Sequence, residues 1–184
     1  MYKERNEQKR QIYLDEIADI PEDSIVYVDE SGINEYLYRE YCYALPRAKI
    51  IAEIAGKKFK RTNIIAGYIS GSTIAELVYA HNTDKEFIEE WVEKCLIKEL
   101  KKGQTVVWDN ASFHKSAKVK KMIKDAGCKL IFLPPYSPDL NPIEHFWANL
   151  KRYIRKIIAT CNTLWEAIVK FFKNYDKCNS SKPA

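Results

Sequence analysis

Hydrophobic positions along the chain change period several times, and each change marks a predicted element. Short apolar runs at 25–29 (IVYVD), 62–69 (TNIIAGYI) and 73–79 (TIAELVY) predict strands, the last two joined hairpin-fashion through Ser70-Gly71-Ser72. From Asp84 to Lys101 the period lengthens. Phe87, Ile88, Trp91, Val92, Cys95, Leu96 and Leu100 recur three and four residues apart, the stripe of an amphipathic helix that Gly103 ends. TVVWD at 105–109 and KLIFL at 129–133 predict two more strands. Between them a helix is expected from about His114 to Ala126, with Val119, Met122 and Ile123 inward and Gly127 as its cap. Beyond a proline-rich loop, helices are predicted from Pro142 to about Ala159 and from Leu164 to Tyr175, the second opened by the capping box Thr163-x-x-Glu166. Residues 3–18 predict a charged lead-in helix with a thin apolar side of Ile12, Tyr13 and Ile17, stopped by Pro21. Residues 30–61 are basic and poorly patterned, and the chain turns polar after Tyr175.

Three strands, helix, strand, helix, strand and two helices make an α/β protein, and this is the order of a ribonuclease H-like mixed sheet flanked by helices, although the pattern alone permits other α/β arrangements. A length of 184 residues, 46% hydrophobic, suits one domain with a sizeable core. The expected division is a lead-in at 1–20, a catalytic domain at 21–178 and a disordered tail at 179–184. A formal charge of +5 is too modest to name a partner. Five widely spaced cysteines without a Cys-x-x-Cys pair fit a reduced cytosol better than a disulfide framework or zinc site. Neither a signal peptide nor a run of ~20 apolar residues is present, so a soluble, membrane-free protein is expected. Nucleotide-binding glycine loops, zinc deaminase motifs and Ser-His-Asp arrangements are absent as well.

The candidate chemistry lies in three carboxylates. Asp29 and Asp109 each close an apolar strand, and in open α/β sheets ligands collect beyond the carboxyl ends of strands. Glu144 opens a helix straight after a rigid proline-rich loop. Three fixed acids suggest a two-metal phosphodiester site. Each also has a plainer explanation. An aspartate after a strand commonly starts a turn. Asn141-Pro142-Ile143-Glu144 is also a good helix start, in which the glutamate would turn back to its own cap. A capping glutamate and a metal ligand predict different side-chain directions.

Neighbouring residues divide by geometry. Glu30 follows Asp29 on a strand and should face the other way, and Asp139 in the loop reads as turn chemistry, so neither is expected to bind metal. Turning ~100° per residue along the helix brings Lys151 and Arg155 within ~20° of Glu144, where they either grip a DNA backbone or form a solvated face. His114 is a secondary candidate for contacting phosphate or orienting water, and His145 points about a quarter-turn from Glu144. Trp108, Trp147 and Pro134-Pro135-Tyr136 are expected to pack the floor of the site.

The blocks VDESG around Asp29, WDNASFH around Asp109 and LPPYSPDLNPIEHFW around Glu144, with 34 residues between the last two acids, resemble those of the DDE transposases of the mariner-like superfamily, in the branch of bacterial insertion sequences. The resemblance runs from about Tyr13 to about Tyr175. It implies a ribonuclease H-like catalytic domain in which Asp29, Asp109 and Glu144 hold two Mg²⁺ or Mn²⁺ ions. It also implies cleavage of double-stranded DNA at element ends and strand transfer into target DNA. Complete members carry N-terminal helix-turn-helix modules, whereas about 24 residues precede the first strand here, so such a segment encoded upstream is an expected partner. A homodimer is one arrangement for the assembly, and the expected location is cytoplasmic and nucleoid-associated. Two rivals stand beside this reading: a catalytically inactive remnant that still binds DNA, and another nuclease on the same fold.

Overall fold

The computed structural model describes residues 6–34 and 61–180, with side chains as far as Tyr175. Most of the poorly patterned stretch at 30–61, and the tail from 181 onward, lie outside the described residues.

The chain runs α1 (Glu7–Ile17), β1 (Ile25–Asn34), β2 (Arg61–Ile69), β3 (Ser72–Tyr79), α2 (Lys85–Trp91), α3 (Ile97–Glu99), β4 (Thr105–Trp108), α4 (Ala117–Asp125), β5 (Lys129–Phe132), α5 (Ile143–Ile157) and α6 (Leu164–Ser180). The strands form one sheet in the order β3-β2-β1-β4-β5. β1 to β3 are antiparallel neighbours, whereas β1, β4 and β5 run parallel. This is the mixed sheet of a ribonuclease H-like fold. Ser70 and Gly71 turn the β2–β3 hairpin with φ of 49° and 83°, the left-handed pair that a two-residue loop requires.

Three local expectations are corrected. β1 does not stop at Asp29: it continues to Asn34 because β2 pairs with it from Tyr27↔Tyr68 through Asn34↔Arg61, a partner that no local pattern reveals. The helix expected over 84–101 is interrupted by a π-helical segment at Val92–Leu96, between α2 and α3. His114 belongs to a separate 3₁₀ turn at Ser112–Lys115, and α4 starts only after Ser116, whose hydroxyl caps the Val119 N–H.

Alternation along the strands sends side chains into two layers. One face of the sheet carries Val26, Val28 and Trp108 against Trp91 of α2 and Ile123 of α4. The other carries Ile33, Ile64 and Ala66 against α5 and α6, through Ile143, Trp147, Leu150, Ile154 and Phe171. Each fully buried side chain of this kind contributes roughly 1.5–3 kcal/mol. Beside that second core, Tyr13 of α1 is buried with Ile25, Val107, Ile131 and Leu133, so the lead-in helix packs onto the sheet. The apolar side foreseen for α1 is narrower than expected, since Ile12 is 65% exposed.

Candidate active site

β1 and β4 pair in parallel up to Val28↔Trp108, so the next residues, Asp29 and Asp109, emerge side by side where β4 ends. Asp29 thus sits within β1 while Asp109 stands beyond β4. β5 ends one residue before Leu133, whose N–H donates to the Trp108 carbonyl at 2.8 Å, and the proline loop then folds over the strand ends. α5 brings the third acid. Asp29, Asp109 and Glu144 line one cavity of about 280 Å³, walled by Leu133, Pro134 and Asn141. Among the described residues no three acids, histidines or cysteines are drawn into a ready-made coordination cluster, so the three share a cavity rather than a closed ligand cage.

α5 is docked by a polar contact as well as by its core stripe. The Trp147 indole N–H donates to Asp29 Oδ2 at 3.1 Å, one turn along from Glu144. Trp147 therefore orients the first acid as well as packing beneath it. Glu144 is exposed, and among the described residues no hydrogen bond runs from its carboxylate back to the start of α5, whose N-cap, Pro142, offers no side-chain cap. The capping alternative is thus absent from the structure.

Asp109 is held from two sides. Its Oδ1 accepts from the Ala111 N–H at 3.0 Å and from His114 Nδ1 at 2.5 Å, while His114 Nε2 donates to Glu30 Oε1 at 3.0 Å. His114 is fully buried and stacks on Trp108 with ring centroids 4.3 Å apart. With both ring nitrogens facing carboxylates and no exposed surface, His114 holds Asp109 in this arrangement. Glu30 faces away from Asp29, as strand alternation requires, and its partner across the chain is this histidine. Lys151 is half-buried and Arg155 exposed on α5, both without a carboxylate partner among the described residues, and His145 is exposed beside Glu144.

Burial is the largest influence on Asp29 and, with Glu30 and Glu144 nearby, pushes its carboxyl up to about 8. Burial acts the same way on Asp109, but the hydrogen bonds from His114 and Ala111 outweigh it and hold that carboxyl below its ordinary range. For His114, burial opposes protonation, and the bonds to Asp109 and Glu30 overcome it and raise the imidazole to about 9. Near neutral pH the histidine is therefore a cation that donates to both carboxylates.

The donor set fits a hard divalent cation. All three side chains offer carboxylate oxygen, and the buried Oδ1 of Asn141, which lines the same cavity, has no hydrogen-bond partner among the described residues. An ion there requires Asp29 to be ionised, which yields an expected pH dependence. Below about 8 a cation competes with the proton on Asp29, so Mn²⁺ affinity should rise with pH and level off near 8. In the metal-free protein the folded chain binds a proton that the unfolded chain releases, so this group makes stability fall as pH rises from 3.8 to about 8. Calorimetric Mn²⁺ titrations in buffers of different ionisation heat measure the proton released.

A family model for a DDE superfamily endonuclease matches residues 24–164, which spans the three acids and most of the chain. The chain belongs to the DDE superfamily of endonucleases. It is 34% identical over 68 residues to the transposable element Tcb2 transposase of Caenorhabditis briggsae, a match covering 33% of this chain and 25% of that protein. Among solved structures, the Mos1 transposase paired-end complex with left transposon end has a TM-score of 0.63 at 17% identity, covering 97% of this chain and 63% of that one. The catalytic domain of Mos1 mariner transposase has a TM-score of 0.53 at 16% identity, covering 98% of this chain and 97% of that one. Mos1 paired-end complexes with Mn and with Mg have TM-scores of 0.62 and 0.60. The chain thus spans a quarter of the curated relative it matches and under two thirds of the Mos1 chain in its paired-end complex.

Proposed function

We propose that this DDE endonuclease is the catalytic domain of a cut-and-paste DNA transposase, from the insertion-sequence branch of the mariner-like superfamily. In this reading residues 21–178 form the catalytic domain, with 1–20 as its lead-in. The observation that carries the proposal is the meeting of Asp29, Asp109 and Glu144 at one cavity where β4 ends beside β1. Those three residues would hold two divalent ions, Mg²⁺ or Mn²⁺, which supply activation of the attacking oxygen and charge neutralisation at the leaving oxygen of an in-line displacement.

The chain's own residues do the rest. His114 and the Ala111 N–H fix Asp109 in one rotamer, and Trp147 does the same for Asp29 while docking α5. Substrates are double-stranded element ends, cut by hydrolysis, and target DNA, attacked by the freed 3′-hydroxyl. Recognition of the ends falls to a helix-turn-helix segment encoded upstream, and a homodimer would bring two ends together. Tcb2 and Mos1, named as transposases, and the transposon-end DNA of the Mos1 complex support this reading.

Joining decides between a transposase and another nuclease. Incubated with Mn²⁺, plasmid DNA and an oligonucleotide duplex bearing a 3′-hydroxyl, the chain should nick the plasmid and also join the oligonucleotide to it. Cutting without any joining, under conditions where an intact transposase joins, would return the chain to the nuclease class. On the α5 face, Lys151→Ala with Arg155→Ala should flatten the salt dependence of duplex binding, each lost phosphate contact lowering the log–log slope by about 0.9. An unchanged slope would assign both residues to a solvated helix face.

A further inference from the structure

We propose that Arg10 is a positioning residue for Glu144, acting through Asp139 to hold the loop that carries the third acid. The inference rests on the reading of Glu144 as a metal ligand. Asp139 does more than form a turn: its two carboxylate oxygens accept from the Arg10 guanidinium, Nη1 to Oδ1 at 3.0 Å and Nη2 to Oδ2 at 2.6 Å, across 129 residues of sequence. The fork is planar on both sides and therefore specifies direction as well as distance. The Arg10 side chain is only 8% exposed although Asp139 is 53% exposed, whereas both partners of the surface pairs Lys94–Glu90 and Lys121–Asp125 are exposed.

Both ends of this bridge are anchored. One turn after Arg10, Tyr13 is buried among Ile25, Val107, Ile131 and Leu133, which ties α1 to β1, β4 and β5. On the other side Asp139 lies in the 3₁₀ turn Pro138–Leu140. From that turn a run of backbone hydrogen bonds leads to the acid: the Asn141 N–H donates to the Pro138 carbonyl at 3.0 Å, and the Glu144 N–H to the Asn141 carbonyl at 3.1 Å. The buried Ile143 and Trp147 hold the body of α5, and the backbone run from Asp139 sets how its first turn, with the exposed Glu144, enters the cavity. Releasing Asp139 therefore loosens Glu144 while leaving in place Asp29, within β1, and Asp109, which follows β4 and is held by His114 and the Ala111 N–H.

The test is Mn²⁺ binding by the metal-free protein, read from the electron paramagnetic resonance of free Mn²⁺, with thermal melting of every variant. Arg10→Ala and Asp139→Asn should each weaken Mn²⁺ binding by about tenfold or more, the usual effect of losing a group that orients a ligand. Glu144→Gln should weaken it too, and should add little in the Arg10→Ala background, since both act on the same ligand. The swap Arg10→Asp with Asp139→Arg should recover part of the affinity, and Arg10→Lys less than wild type, because an ammonium cannot reproduce the fork. A lower melting temperature with unchanged Mn²⁺ affinity in Arg10→Ala would overturn the proposal and leave a purely structural bridge. If Glu144→Gln itself leaves Mn²⁺ binding untouched, it is the assignment of Glu144 as a ligand that fails. Should Arg10→Ala not fold, Asp139→Asn and the swap carry the same comparison.

Discussion

Asp29→Asn, Asp109→Asn and Glu144→Gln are each expected to reduce strand cleavage about a thousandfold or more, the loss that several kcal/mol of missing charge stabilisation produces. Each change preserves shape and removes from the shared cavity a carboxyl that can ionise to bind a cation. Folding should survive, and for Asp29→Asn stability above neutral pH should increase, because the neutral amide avoids ionising a buried carboxyl whose proton is held up to about 8. Glu30→Gln should be much milder, since a glutamine can still accept from His114 Nε2 across the present 3.0 Å. Plasmid nicking alongside thermal melts checks both halves. Loss in Glu30→Gln equal to that in Asp109→Asn, with both proteins folded, would mean that the ligand set is chosen wrongly.

The second large effect belongs to His114. Replacing it with alanine leaves Asp109 and Glu30 without their shared donor and opens a void beside Trp108, against which the ring is stacked. A destabilisation of about 2–4 kcal/mol is expected, toward the lower end because the Asp109 side chain is 46% exposed and water screens part of the loss. Cleavage should fall by roughly 10–100-fold, the range for groups that orient a metal ligand. His114→Gln, which still offers an amide N–H to one carboxylate, should recover part of both. Denaturant melts and nicking rates separate the two effects. A His114→Ala protein with full cleavage activity would show that Asp109 needs no such brace.

The difference between what the sequence disclosed and what only the structure reveals is a difference of range. Asp29 and Asp109 were legible because each interrupts an apolar run, and the side-by-side parallel pairing of those runs then makes the two acids neighbours. Helices α5 and α6 were legible from their apolar stripes, which pack in the second core. Non-local partners were not legible. The continuation of β1 to Asn34 depends on β2, more than two dozen residues away, and nothing between Glu30 and Asn34 announces it locally. Trp147 carries an obvious core signature, yet its indole N–H finds Asp29 across 118 residues. Arg10 and Asp139 resemble ordinary surface and turn residues until 129 residues of chain bring them together. His114 carried a weak local signal, five residues beyond Asp109, but only its stacking on Trp108 explains why it faces inward.

In the proposed function, three acids from β1, the end of β4 and the start of α5 hold divalent ions at one place. Diffraction from crystals soaked in Mn²⁺, collected at the manganese absorption edge, tests it most directly. Anomalous peaks are expected in the cavity with oxygen ligands from Asp29, Asp109 and Glu144, Glu144 having turned inward and the Asp109–His114 contact intact. Mn²⁺ bound by Asp29 and Asp109 while Glu144 stays in solvent, or bound through Glu30 instead, would contradict it.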